Sequence, residues 1–214
     1  MRASNCLASL SLVLALGLLP ASAVAEPMEC TPDILRMALS AGGTMPSELV
    51  GACAAISKGD ELYGLAQYMI AVHYERRRDL PRAALALGRA ASQPPFATDT
   101  RVLYRLCRLL IGAGDLEGAL VAKDRFLLNS GPLSREKRTT LLANLNRLLS
   151  RAFEVAAAGA AEQGDERRYQ QALIAALFYR EAARHLGGQP AAGEAVSYRP
   201  EASPEALASL PPPR

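Results

Sequence analysis

Apolar positions recur at helical spacing along most of the chain, and no stretch of useful length alternates every second residue. The punctuation between the apolar stretches is orderly. Thr31-Pro32-Asp33 supplies an N-cap, a first-turn proline and a first-turn acid, opening a short helix that stops before Gly42-Gly43. Residues 44–47 open a second helix, running to about Ser57, and a third covers about 61–77. Asp79-Leu80-Pro81 starts a fourth that ends before Pro94-Pro95, and Thr98-Asp99 precede a fifth, closed at 112–114. Asp115 caps a sixth, ending near Asn129. Ser134 and Glu136 begin one long helix, or two abutting ones, reaching about Ala161. Asp165 begins the last, which Gly187-Gly188 terminate. The pattern predicts an all-α fold.

The two ends read differently. Arg2, a thirteen-residue apolar stretch at 7–19 and the small-x-small run Ala23-Val24-Ala25 have the form of a signal peptide over 1–25. The stretch is short for a transmembrane helix, and a signal kept as an N-terminal anchor is the alternative to a cleaved one. Cys6 precedes the stretch and so is not a lipoprotein cysteine. Residues 187–214 hold nine Pro or Gly and end Pro211-Pro212-Pro213-Arg214. They lack the apolar surface needed to offset their ordering entropy and are expected to form a flexible tail. The mature chain is therefore expected to be exported, periplasmic or secreted, without stable membrane insertion.

Export changes how the cysteines read. Cys30, Cys53 and Cys107 remain after the signal, and in an oxidising compartment Cys30–Cys53 is the natural bridge. The pairings of Cys30 or Cys53 with Cys107 stay open at this stage. Cys107 sits in an apolar helical face and reads as a small core residue. The basic residues comprise three Lys and twenty-one Arg, and the net charge of +3 is far below that of a nucleic-acid binder. Aromatic residues make up 5% and Trp is absent, so stacking platforms for nucleic acid are missing too.

Chemistry is scarce. His73 and His185 are far apart, and no metal-ligand spacing, nucleophile elbow or phosphate loop occurs. The sequence implies no metal site, no cofactor and no catalytic residue. Glu75 and Asp79 flank Arg76-Arg77-Arg78 and are read as offsetting its charge in an exposed turn. Arg167-Arg168 reads as an exposed first turn of the last helix.

An internal repeat is the most informative feature. A shift of thirty-six residues lays Tyr68-Met69-Ile70-Ala71 on Tyr104-Arg105-Leu106-Cys107, Asp79-Leu80 on Asp115-Leu116, and Ala83 on Ala119. The first unit reads Gln67-x2-Ile70-Ala71-x2-Tyr74, then Ala83-x3-Leu87, then Pro95. The second reads Leu103-x2-Leu106-Cys107-x2-Leu110, then Ala119-x3-Lys123, with Gly131-Pro132 near the closing position. A weaker third reads Phe153-x2-Ala156-Ala157-x2-Ala160, then Ala172, with a longer turn around Gly164-Asp165 and Ala176 in the bulky slot.

Over residues 64–186 this pattern resembles the tetratricopeptide repeat family, with Gln67 and Lys123 departing from it. The resemblance implies stacked antiparallel helical hairpins forming a short right-handed α-solenoid, preceded by an N-terminal helical hairpin over 26–63. It also implies that the first helix of each unit lines a concave face. Arg101, Arg105 and Arg108 recur at i, i+4 and i+7, with Tyr104 beside them, and Tyr68 occupies the matching place one unit earlier. Tyr68, Tyr104, Arg101, Arg105 and Arg108 are thereby candidates for a groove that takes an extended or helical, acidic peptide. The alternative is a solvated arginine stripe opposite a leucine core. The expected function is non-catalytic binding or scaffolding of another protein. A structural subunit of an envelope or secretion assembly stands second, and an envelope enzyme or cell-wall-binding accessory third.

Overall fold

The computed structural model describes residues 29–41 and 45–186; the signal reading of 1–25 and the tail reading of 187–214 lie outside them. The described residues form eight helices and no strand. They are α1 (Pro32–Ser40), α2 (Ser47–Ala54), α3 (Tyr63–Arg76), α4 (Leu80–Ala90), α5 (Thr100–Ala113), α6 (Leu116–Asn129), α7 (Arg135–Glu162) and α8 (Glu166–His185). The long segment expected as one helix or two is a single helix, α7. No helix among the described residues is long and apolar enough to cross a membrane.

Helices α3 and α4, α5 and α6, and α7 and α8 pack chiefly on one another, while α4 also packs on α5, and α5 on α7. The three connections share one device. Arg78, Gly114 and Gly164 adopt left-handed backbone at φ 61°, 80° and 70°. Each is followed by an aspartate whose carboxylate accepts the N–H three residues on, at Arg82, Gly118 and Arg168. The N–H groups of Asp79, Asp115 and Asp165 in turn donate to the Tyr74, Leu110 and Ala160 carbonyls at 2.9–3.0 Å, closing the preceding helix. The third turn is therefore no longer than the first and closes with the same hydrogen-bond register as both others. Its unit is longer because α7 is extended at its start, and by the turn register Tyr169, not Ala172, corresponds to Ala83. Arg78 adopts a conformation that costs a side-chain-bearing residue about 1–2 kcal/mol.

Small residues set how closely the helices approach. Ala71, Ala83, Cys107, Ala119, Ala156 and Ala172 are buried, and Leu87, Leu103, Phe126 and Phe153 fill the space between layers. The Cys107 thiol donates to the Ala119 carbonyl at 3.3 Å, and the Ser150 hydroxyl to the Ala176 carbonyl at 2.9 Å, so α5 and α6, and α7 and α8, meet at backbone distance. Burial pushes the Cys107 thiol up to about 12, against a smaller opposing effect of Lys123. The two departures from the repeat pattern are both packed. Gln67 is buried, and the Lys123 ammonium sits 4.9 Å from the centre of the Tyr179 ring.

At the N-terminal side, α1 and α2 each pack on α3 and are joined by a Cys30–Cys53 disulfide with Cα atoms 5.0 Å apart. This settles the pairing and leaves Cys107 as a buried free thiol. One contiguous core runs from Leu35 to Ala176.

Candidate functional site

Three of the predicted residues, Tyr68, Arg101 and Arg105, come together where side chains of α3 and α5 meet. Gly64, in the first turn of α3, leaves room for Phe96 from the α4–α5 connection. A side-chain carbon at position 64 would lie only 3.2 Å from the Phe96 ring. Phe96 in turn stacks on Tyr68, with ring centres 5.4 Å apart and planes 9° from parallel. The connection carrying Phe96 is held by Arg125 of α6, whose guanidinium donates to the Ala91 carbonyl at 2.6 Å and to the Ala97 carbonyl at 3.3 Å.

Arg105 of α5 also reaches Tyr68. Its Nε donates to Glu75 Oε2 at 2.6 Å, its second guanidinium nitrogen donates to the Tyr68 hydroxyl at 3.1 Å, and its guanidinium carbon lies 5.6 Å from the Tyr68 ring centre. Glu75, read from the sequence as a counter-charge for the arginine run, instead bridges to α5. Asp79 caps α4 and pairs with Arg82 at 3.4 Å. Arg101 is largely exposed and pairs with Asp99 at 3.1 Å. That hydrogen-bonded pairing holds the Asp99 carboxyl below its usual range, against the opposing effect of burial.

Two hollows share Arg105. One, of about 360 Å³, is lined by Leu65, Tyr68, Phe96, Arg101 and Val102 as well. The other, of about 200 Å³, lies by Glu75, Arg108, Leu109 and Leu148. Tyr104 lines neither. Its ring packs 6.0 Å from that of Phe126 on α6, and the Arg108 guanidinium lies 6.0 Å from the Tyr104 ring centre. The structure thus brings Tyr68, Arg101 and Arg105 to one cleft, links Arg108 to it through the second hollow, and turns Tyr104 toward α6. Phe96, Glu75, Gly64 and Arg125 complete the site and were not singled out as site residues. A Phe directly after Pro94-Pro95 was the one local signal, since an aromatic in a turn has no helical core to fill.

The cleft offers an aromatic floor, a phenol hydroxyl and two guanidinium groups already balanced by carboxylates. Such a surface suits a ligand that exchanges for those ion pairs. Among the described residues no cluster of three or more His, Cys, Asp or Glu is arranged to hold a metal ion. Comparison of the chain with protein-family models, curated proteins and solved structures found no match in any of the three.

Proposed function

We propose that this is an exported, periplasmic or secreted, non-catalytic protein built of tetratricopeptide-like helical hairpins stacked into a short right-handed solenoid, and that it binds another protein through the α3–α5 face. The recurring left-handed residue and aspartate cap at three turns support the repeat reading. The disulfide supports an oxidising compartment. One observation carries the binding reading: the cleft in which Tyr68 and Phe96 are flanked by Arg101 and Arg105. An acidic, extended segment fits it, with an apolar side chain on the rings and a carboxylate on the exposed Arg101.

Crosslinking in the native envelope, followed by identification of the captured protein, tests the reading. Arg101→Glu with Arg108→Glu is the variant of choice, because both side chains are exposed and Arg105 keeps its contact with Glu75. The variant is expected to retain its helical content and lose the captured protein; undiminished capture would refute the groove. A second reading, a structural or assembly subunit, is favoured by one feature: α8 exposes Leu173, Ile174, Leu177 and Phe178 together.

A further inference from the structure

We infer that this exposed face of α8 is a contact between two copies of the chain, related by a two-fold axis. The inference stands independently of the α3–α5 cleft.

The common turns give the register for the argument. Counted from the aspartate caps, Ala86 and Ala90 of α4 correspond to Ala172 and Ala176 of α8, and all four are buried. One position further along, the two helices part. Leu87 and Ala91 are fully buried in and after α4, which packs on both α3 and α5. Their counterparts Leu173 and Leu177 are 37% and 50% exposed, because α8 packs chiefly on α7. Ile174 and Phe178, at 54% and 53%, widen the patch. The face that α4 buries under following helices is open in α8, and it is apolar where an end of a stack is ordinarily polar.

The spacing favours a second copy as the occupant. Leu173 and Phe178, and Ile174 and Leu177, lie symmetrically about the midpoint between Ala175 and Ala176. Antiparallel pairing of two α8 helices about that midpoint lays the patch on itself, as an isologous interface requires. The rim agrees. Glu166 and Arg184 are separated by about five full helical turns, so they project from one side of the helix. The two-fold operation then sets Glu166 of one copy beside Arg184 of the partner subunit at each end of the patch. Gln170 and Glu181 meet on the next level inward. All four are exposed, and their present contacts, Gln170 to Glu166 at 2.7 Å and Glu181 to Arg184 and His185 at 3.2 Å each, are local ones on the same helix that can be exchanged.

Sedimentation equilibrium of the full chain with its disulfide intact tests this between about 1 and 100 µM, the range in which a small interface dissociates. A reversible dimer is expected. Leu177→Glu should weaken it by about a hundredfold with helical circular dichroism retained, because each copy would bury a charge. Glu166→Arg alone and Arg184→Glu alone should each weaken it by about fivefold, and the two together should restore it. This charge exchange decides the matter even if Leu177→Glu fails to fold. Truncation after Leu186 should leave the dimer intact. A monomeric full chain, a dimer indifferent to Leu177→Glu, no recovery in the double exchange, or loss of association with residues 187–214 would each overturn the inference.

Discussion

The Glu75–Arg105 pair joins helices thirty residues apart in sequence and sits at the centre of the candidate site. Its strength can be worked from the geometry. Opposite charges with centres about 4 Å apart attract by about 4 kcal/mol at the effective dielectric of a protein surface, and by about 1 kcal/mol in water. The two side chains keep 29% and 34% exposure, so the pair lies between those limits. Desolvation and the ordering of two long side chains oppose the attraction, leaving a net coupling of about 1–2 kcal/mol. Glu75→Gln should therefore destabilise by about 1–2 kcal/mol. Arg105→Met should cost about 1 kcal/mol more, since it also removes the hydrogen bond to the Tyr68 hydroxyl. The double variant should cost less than the sum of the singles by the coupling energy. Urea unfolding followed by circular dichroism, with the disulfide oxidised throughout, measures all four corners of the cycle. A coupling below about 0.3 kcal/mol would show that the pair is solvated in solution and does not tie α3 to α5.

Two further outcomes follow from the structure. Reducing Cys30–Cys53, or replacing both with Ala, should lower stability by about 3 kcal/mol, because the bridge closes a loop of some two dozen residues. Unchanged thermal unfolding on reduction would show that α1 and α2 need no tether. His73 is buried, and burial, with Arg77 beside it, lowers its pKa below 6.5, against a hydrogen bond to the Met45 backbone. The unfolded chain then binds the proton more readily, so this contribution to stability is complete above pH 6.5 and declines as the pH falls through that value. Urea midpoints between pH 8 and 5 should show the decline in the parent and less of it in His73→Gln; equal slopes would contradict the assignment.

Most of the helical order was legible in the chain because its signals are local. Asp79, Asp99, Asp115, Ser134 and Asp165 each cap the helix they were expected to open, since an N-cap acts within three residues of itself. Boundaries without such a cap drifted: α2 stops at Ala54, before the expected Ser57, and α3 starts at Tyr63. The site was legible only in part. Helical periodicity placed Arg101, Arg105 and Arg108 on one side of α5, yet the elements packed around α5 gave them different surroundings. Arg105 is drawn to Glu75 and Tyr68, Arg101 stays with Asp99, and Arg108 lies by Tyr104, which leans on Phe126.

By itself the sequence determined the all-α class and the helix caps, consequences of period and short-range hydrogen bonding, while it left three cysteine pairings open until the fold set Cys53 beside Cys30. Only the tertiary structure decided that Phe96 would reach back to Gly64 and stack on Tyr68, that Glu75 would turn from the arginine run to Arg105, and that α8 would leave Leu173 and Leu177 exposed. Those outcomes depend on which helices become neighbours and how closely their small residues let them approach. That is a property of contacts between segments far apart in the chain, to which no local pattern is sensitive.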